Sequence, residues 1–193
     1  MKSGKPDRRV QYTKMVLKQG LLELMADRPI SRITIKDICD LADVNRGTFY
    51  THYNDQYDLL RQIEDDLDAE IKATITKGHS ESSDVTEEIL SSIAAQNSLC
   101  KILFSEYGDA AFLKKIMYNA HDQFIDEWKA KIQPADIHLL NRFYIYTANG
   151  IAAIIQDWLQ SGMNESPKEI AAFIEKSINH GLSSFVGGIR HLQ

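Results

Sequence analysis

The segment that most constrains the fold is residues 34–53, which reads TIKDICDLADVNRGTFYTHY. Thr34 is a favourable N-cap residue and Asp37 stands three positions later, so a capping box is expected at the start of a helix that ends near Leu41. A three-residue turn separates this helix from a second short helix that begins at Asn45. Two short helices joined so tightly predict a helix-turn-helix unit.

The rest of the chain shows helical rather than strand periodicity. Apolar residues recur at about 3.6-residue spacing from Arg8 to Ala26, which predicts an amphipathic first helix that ends before Pro29. Further helices are expected over 56–77, 85–97 and 98–106, from the turn at Gly108-Asp109 to about Lys131, over 136–160 and from Pro167 to about Gly187, with a polar loop at 78–84 and breaks at Gln133-Pro134. The chain is therefore predicted to be all-α, with about nine helices.

We divide the chain into two predicted domains. Residues 1–54 form an N-terminal three-helix helix-turn-helix domain, and residues 55–193 form a C-terminal helical domain whose first helix, 55–77, connects the two. The overall net charge is −5, yet residues 1–61 hold 11 Lys/Arg against 8 Asp/Glu. This asymmetry indicates two modules with different partners, the first of them nucleic acid.

The composition, 44% hydrophobic and 25% charged, is that of an ordinary folded protein. Polar residues interrupt the longest apolar stretches, and the N-terminus lacks the apolar segment of a secretory signal. We therefore expect a cytoplasmic protein with no membrane partner. Cys39 and Cys100 lie in predicted helices and are expected to be buried thiols.

The side chains of the second short helix suit the major groove of DNA. That groove admits an α-helix, and Arg, Asn and Thr side chains read its base edges. Asn45, Arg46 and Thr48 lie near the N-terminal end of the helix, the part that approaches bases in helix-turn-helix proteins. Thr34 and Lys36 lie at the start of the preceding helix, where hydroxyls, amines and free N–H groups hold phosphate.

These residues carry a family resemblance that extends from about Arg8 to Leu60. The run ITIKDICDLADVNRGTFYTHYNDQYDLL resembles the N-terminal domain of the TetR family of bacterial transcriptional regulators. The form HYNDQYDLL, running on into IEDDL, resembles the subgroup similar to the dihydroxyacetone-kinase operon regulator. The resemblance implies a DNA-binding role for a set of ten residues: Thr34, Lys36, Asn45, Arg46, Gly47, Thr48, Tyr50, His52, Tyr53 and Gln56.

The resemblance also implies the role of each residue. Thr34 and Lys36 would contact phosphate, and Arg46, Gly47 and Thr48 would face bases. The aromatic side chains Tyr50, His52 and Tyr53 would contact phosphate or support the helix. Many relatives have a phosphate-binding Lys at the position of Gln56, so this chain lacks one charge contact and its DNA affinity should depend less on salt.

By the same resemblance, the protein would act as a homodimer on a pseudo-palindromic, double-stranded operator. We expect a sequence-specific repressor that an unknown small-molecule effector releases from DNA. The alternative is a regulator, or an activator, whose C-terminal domain binds a protein co-regulator. Neither a cofactor nor a metal is expected, because the histidines lack mutual ligand spacing. The chain also lacks a Gly-rich phosphate loop and an evident catalytic set, so an enzyme is not expected.

The C-terminal half offers residues for an effector pocket and for a dimer interface. Large apolar walls with a few polar anchors are typical of a pocket, although aromatic residues at helical spacing are usually core. The predicted pocket residues are Phe104, Tyr107, Met117, Tyr118, His121, Phe124, Tyr146 and Asn149. The run GIAAIIQDWLQSG and the following SPKEIAAFI resemble the last two, dimerising helices of TetR-type regulators. The predicted interface contains Ile151, Ile154, Ile155, Trp158, Ile170, Phe173, Ile174, Ile178 and Phe185, some of which belong to the core of a single chain.

Overall fold

The structure, a computed structural model, describes residues 8–81, 85–119, 121–132 and 136–185. Within these residues the chain forms α-helices and one short 3-10 helix, and no strand, which confirms the predicted all-α class. The helices are α1 Arg8–Met25, the 3-10 helix Ile30–Arg32, α2 Ile35–Ala42, α3 Arg46–Tyr50, α4 Gln56–Glu81, α5 Val85–Ala95, α6 Asn97–Leu103, α7 Ala110–Tyr118, α8 His121–Lys131, α9 Ile137–Gln160 and α10 Pro167–Ser183.

The chain packs into two compact units. The first contains the described residues up to Ala69 together with Ile102–Asp109, and the second contains Glu70–Lys101 and the described residues from Ala110 onward. The helix-turn-helix segment lies in the first unit. None of the helices in the described part of the chain has the length and apolar character needed to cross a bilayer.

The core of the first unit joins α1, α2, α3 and the start of α4. It is made of side chains with no solvent exposure: Leu17, Leu21, Met25, Ile38, Phe49 and Leu59. Gly20 on α1 faces α2, and a β-carbon placed there would lie 3.4 Å from the carbonyl oxygen of Ile38, an ordinary van der Waals contact. Cys39 is buried in this core as predicted, and Cys100 is buried in the second unit.

Local sequence sets the ends of α2. Thr34 and Asp37 form the predicted capping box at its N-terminus. At the other end Asp43 adopts the left-handed conformation, with φ 52° and ψ 45°, and its N–H donates to the carbonyl oxygen of Cys39. A non-glycine residue tolerates this conformation best when it is Asn or Asp, whose short polar side chain can hydrogen-bond locally. The tight turn into α3 therefore depends on Asp43.

The structure differs most from the predicted helices in two places. The connecting helix α4 continues to Glu81, so residues 78–81 of the predicted polar loop are helical. The single helix predicted up to Lys131 is divided into α7 and α8, because the chain turns at Asn119, whose N–H bonds to the carbonyl oxygen of Ile116 in a tighter turn. The predicted break at Gln133-Pro134 lies outside the described residues, and α10 ends at Ser183, before the helix end predicted at Gly187.

Aromatic and aliphatic side chains together form the core of the second unit. One cluster contains Ile125, Trp128, Ile132, Leu140, Phe143, Tyr144, Ala148 and Leu182. Gly181 packs against Phe143 so closely that a β-carbon there would lie 2.8 Å from the ring. The loop between α9 and α10 is anchored by Trp158, whose Nε1 donates to the carbonyl oxygen of Glu165 over 2.9 Å. Pro167 starts α10 as predicted, behind a capping box formed by Ser166 and Glu169.

Candidate nucleic-acid interface and ligand cavity

The N-terminus of α2 presents hydrogen-bond donors to the outside. The Thr34 hydroxyl oxygen accepts from the N–H of Asp37 over 3.2 Å, and the N–H of Thr34 donates to the Asp37 carboxylate over 3.0 Å. These hydrogen bonds, together with Arg28 at 3.3 Å, hold the pKa of Asp37 below its ordinary value. N–H groups in the first turn of a helix have no intrahelical acceptor, and such groups can bind a phosphate.

Helix α3 is short, and contacts at its N-terminus and on its inner side hold it in place. Asn45 is its N-cap, and its Oδ1 accepts from the N–H of Gly47 over 2.7 Å. On the inner side Phe49 is fully buried, and on the outer side Arg46 is exposed and Tyr50 is 58% exposed. Because a five-residue helix is not stable alone, the cap and the Phe49 anchor determine its orientation.

Gly47 and Thr48 complete the outer surface of α3. A β-carbon at Gly47 would lie 3.2 Å from the Asn45 Oδ1, so a larger residue would disturb the cap. Thr48 is partly buried, and its carbonyl oxygen accepts from the Thr51 hydroxyl over 2.6 Å. The predicted base-facing residues therefore lie on one short helix in the first unit.

Tyr53 supports α3 from inside. Its side chain is only 2% exposed and lies 5.6 Å from the Phe49 ring, measured between ring centroids. The Lys14 ammonium lies 6.0 Å from the Tyr53 ring centroid, and the Tyr53 hydroxyl has no hydrogen-bond partner in the described structure. Burial, with the Asp66 and Asp58 charges, raises the pKa of this hydroxyl. Of the two predicted roles of Tyr53, the buried position favours support of the helix over phosphate contact, whereas His52 remains partly exposed.

Carboxylates occupy the start of α4. Asp55 accepts from the N–H of Asp58 over 2.7 Å, and Asp58 accepts from the N–H of Asn54 over 2.9 Å. The hydrogen bond from Asn54 and the nearby Arg61 lower the pKa of Asp58. Gln56, the first residue of α4, is partly exposed between these two acidic residues. The neutral side-chain amide of Gln56 therefore lies at a position flanked by the negatively charged Asp55 and Asp58.

The second unit contains a partly open cavity of about 580 Å³. This volume is within the range of sites for small organic ligands. Helices α4, α5, α7, α8, α9 and α10 all contribute to its walls. The apolar lining includes Ile71, Ile75, Ile89, Leu90, Ile116, Met117, Phe124, Trp128, Ile151, Ile155, Ile174 and Ile178.

Two of the eight predicted pocket residues, Met117 and Phe124, line this cavity, and the other six lie elsewhere. Phe104 and Tyr107 belong to the first unit. Tyr118 stacks on His121, whose ring nitrogens contact Asp122 and Asn141 at 2.8 and 3.0 Å. Tyr146 is 76% exposed, and Asn149 is exposed and donates to the carbonyl oxygen of its own helix at Ile145 over 2.7 Å.

The residues predicted for the dimer interface divide into three groups. Ile155, Trp158, Ile170 and Ile174 are buried within the single chain. Ile151, Ile154, Ile178 and Phe185 are partly buried, and Ile151 and Ile178 line the cavity together with Ile155 and Ile174. Phe173 is 56% exposed. The residues predicted for the dimer interface therefore serve largely as intrachain core and cavity wall, because the inner faces of α9 and α10 carry most of these isoleucines.

Comparison with known protein families identifies both parts of the chain. Residues 19–63 match the family described as "Bacterial regulatory proteins, tetR family". Residues 80–180, just over half of the chain, match the family described as "Transcriptional regulator C-terminal region", the C-terminal part of TetR-type proteins. The chain belongs to the TetR family. The family predicted from residues 8–60 is thereby confirmed, and it is a family of non-enzymatic regulators.

Individual relatives of this TetR-family chain are distant. The uncharacterized HTH-type transcriptional regulator YxbF of Bacillus subtilis strain 168 is 37% identical over 51 residues, a match that covers 26% of this chain and 13% of that protein. Two solved structures share the fold along most of both chains. A TetR regulator from Streptococcus agalactiae 2603V has a TM-score of 0.66 at 21% identity, covering 89% of this chain and 96% of that one. The dihydroxyacetone kinase operon activator DhaS has a TM-score of 0.61 at 19% identity, covering 91% and 98%.

The multidrug-efflux repressor NalD of Pseudomonas aeruginosa also shares the TetR fold. Its TM-score is 0.66 at 16% identity, over 90% of this chain and 97% of NalD. At such identities the likeness shows the fold alone, so the subgroup suggested by HYNDQYDLL stays a prediction.

Several cavity residues were not anticipated from the sequence of this TetR-family chain. Ile71 and Ile75 lie on α4, the helix that was predicted only to connect the two domains. Glu127, Lys131 and Glu175 are charged residues of α8 and α10, two helices on which the prediction named apolar residues. Helical spacing was the available signal, since residues four positions apart share a face.

Proposed function

We propose that this TetR-family chain is a transcriptional repressor that binds a pseudo-palindromic operator as a homodimer and leaves it when a small molecule occupies the cavity of the second unit. The observation that carries the proposal is the presentation of α3. Its exposed Arg46 and Tyr50 project from a helix whose cap and inner anchor are both in place. This arrangement suits insertion of α3 into a major groove.

The proposed DNA contacts are of two kinds, contacts with bases and contacts with phosphates. Arg46 is the best-placed side chain for bidentate recognition of a guanine, and Thr48 and Tyr50 extend the outer surface of the same helix. Lys36 and the α2 N-terminus are positioned to hold phosphate, which fixes the register of the protein on the duplex. Gln56 adds a neutral donor at α4.

The homodimer would use the outward faces of α9 and α10. On α9, Ile145 is 49% exposed, Tyr146 is 76% exposed, and Gly150 has no neighbouring atom within 4 Å of a β-carbon placed there. On α10, Phe173 is 56% exposed. Exposed apolar side chains on two helices mark a surface for association. We therefore propose this face, rather than the buried isoleucines of the same helices, as the dimer contact.

The cavity supports a small molecule as the signal, rather than the alternative of a protein co-regulator. An effector that binds one dimer geometry more tightly than another would shift the population away from the DNA-binding geometry. NalD, which shares this fold, is itself a repressor of an efflux pump. We place this regulation in the cytoplasm, where DNA is available.

The test is operator binding by two substitutions at α3. Operator fragments are first enriched from genomic DNA with the full chain, and affinity is then measured by mobility shift. We expect Arg46→Ala to weaken operator binding by about 10- to 100-fold, since a base contact contributes about 1–3 kcal/mol, and Tyr50→Ala to weaken it through loss of a phosphate contact or of support for α3. Lys101→Ala, which removes one positive charge from the exposed surface of α6, outside the proposed DNA and dimer contacts, is the control and should bind normally. Normal affinity in both α3 variants, with the dimer retained, would refute the proposal.

A further inference from the structure

Lys14 on α1 carries a charge that no carboxylate in the described part of the chain neutralises. Its ammonium lies 6.0 Å from the centroid of the Tyr53 ring and forms no ion pair with a described residue. Lys18, one turn further along α1, is by contrast paired with Asp66 on α4. The hydrocarbon stem of a lysine is enough to cover an aromatic ring, so packing on Tyr53 leaves the charged end of this partly exposed side chain for another partner.

The carboxylates near the Tyr53 ring are already occupied. Burial, followed by the charges of Asp66 and Asp58, raises the pKa of the Tyr53 hydroxyl, which places both carboxylates in its surroundings. Asp66 pairs with Lys18. Asp58 pairs with Arg61, at 3.5 Å between carboxylate oxygen and guanidinium nitrogen. Neither carboxylate therefore takes up the ammonium that lies over the ring.

Tyr53 places this ammonium at the end of α3. The backbone N–H of Tyr53 donates to the carbonyl oxygen of Phe49 over 3.0 Å, so the residue follows directly on the last turn of α3. The ring of His52, a partly exposed side chain, has its centroid 6.3 Å from that of Tyr53. The major groove is about 12 Å wide, and phosphates border it on both sides. A cation beside the end of a helix in this groove is within reach of a bordering phosphate.

The segment that follows Tyr53 supplies no positive charge of its own. Residues 54–60 read NDQYDLL, with two aspartates and no lysine or arginine. A phosphate close to this segment meets negative charge, and the repulsion weakens its binding unless a cation offsets it. The ammonium of Lys14, held beside Tyr53 by a different helix, provides a positive charge next to this acidic stretch.

From the ammonium without a carboxylate partner, its position at the end of α3 and the acidic segment beside it, we propose that Lys14 binds a phosphate of the operator backbone. This contact brings α1 into the DNA interface and helps to fix the register of α3 in the groove. The inference rests on the proposed function, in which α3 enters the major groove of an operator, and it adds a positioning contact from α1.

The test is the salt dependence of operator affinity, measured by fluorescence anisotropy with the full chain and an enriched operator fragment. Lys14→Met keeps an unbranched apolar chain over the Tyr53 ring and removes only the ammonium. It should lower the slope of log K against log salt by about 0.9 for each protomer, and weaken binding by about tenfold or more at about 0.1 M salt. Lys14→Arg keeps the positive charge and should keep the slope of the original protein.

Lys18→Met is the matched control, because it removes the same charge from the same helix, at an ammonium that Asp66 already pairs with. It should leave the slope unchanged. Circular dichroism and size-exclusion chromatography verify that each variant is folded and keeps the oligomeric state of the original protein. The inference is overturned if Lys14→Met keeps the original slope, or if both methionine variants lower the slope equally, since the effect would then be one of net charge alone.

Neutral methylphosphonate groups, placed one at a time along the operator, locate the contact. At one position in each half-site the replacement should weaken binding by the original protein and by Lys18→Met, and should not weaken binding by Lys14→Met any further. Losses that add to the effect of Lys14→Met at every position would show that Lys14 holds no phosphate, which also overturns the inference.

The substitutions on α3 separate this inference from the proposed function. If Arg46→Ala and Tyr50→Ala both bind the operator normally, the role of α3 fails and the Lys14 contact fails with it. If the two α3 variants bind weakly while Lys14→Met keeps the original slope, α3 recognises DNA as proposed and the Lys14 contact alone is wrong.

Discussion

Replacing Asn45 separates the stability of α3 from its recognition of DNA. The Asn45 Oδ1 accepts from the N–H of Gly47 over 2.7 Å, and the helix that follows has only five residues. Loss of an N-cap acceptor costs about 1 kcal/mol, within a range of about 0.5–2 kcal/mol. For a chain of this length that loss lowers the melting temperature by about 2–4 °C. We expect Asn45→Ala to show this decrease.

Two further substitutions make the cap prediction specific. Asn45→Ser keeps a neutral cap acceptor and should retain the stability of the original protein. Asn45→Asp also keeps the cap but places a negative charge on the DNA-facing side, so stability should hold while operator affinity decreases, most strongly at low salt. Asn45→Ala should lose both properties.

The measurements are thermal unfolding at fixed protein concentration and operator binding by fluorescence anisotropy at two salt concentrations. The cap would be refuted if Asn45→Ala melted at the same temperature as the original protein. If Asn45→Ser were as stable as the original but bound operator as weakly as Asn45→Ala, the side chain would contact a base rather than act only through the cap.

Three further predictions concern the first unit. Tyr53→Phe removes a buried hydroxyl without a partner and should raise the unfolding free energy by about 1 kcal/mol in thermal or urea unfolding; a loss of stability would show that the hydroxyl is bonded in solution. Gln56→Lys should strengthen operator binding and steepen the dependence of log K on log salt by about 0.9 for each protomer, whereas Gln56→Glu should weaken binding; an unchanged salt slope in the Lys variant would exclude this position from phosphate contact. The pKa of Asp37 is lowered by its bonds to Thr34 and by Arg28, so its stabilisation is present above the unfolded-state pKa and is lost as the pH falls through the folded-state pKa. Asp37→Asn should therefore flatten the acid limb of a stability-versus-pH profile, and an unchanged profile would contradict the capping role.

The features of the first unit that were predictable are those set by neighbours in sequence. The capping box of Thr34 and Asp37 and the start of α3 at the Asn45 cap both depend on residues two or three positions apart. The burial of Tyr53 was left open because it depends on contacts with α1, through Lys14, as well as with α3. Hydrophobic periodicity does not show whether an aromatic residue with a polar end, such as Tyr53, faces the core or the solvent.

The second unit was harder to predict because its site is assembled from six helices. The predicted pocket residues were selected for size and chemical type, and of the aromatic residues among them Phe124 lies in the cavity while Tyr146 is exposed on the same unit. The distinction depends on the rotation of α9, which the packing of Trp128 and Phe143 fixes, with ring centroids 5.1 Å apart. Contacts between residues so far apart in sequence leave no local pattern.

The construction of α3 has a consequence for how such a regulator acquires new targets. Its stability comes from Phe49 and from the Asn45 cap, while Arg46 and Tyr50 point outward and belong to no core. Exposed substitutions away from caps and cores usually change stability by less than about 0.5 kcal/mol. Mutation can therefore explore new operator sequences at these positions without crossing the stability threshold that removes most core variants from a population. If α3 reads the operator as proposed, DNA specificity is free to diverge while the scaffold stays the same.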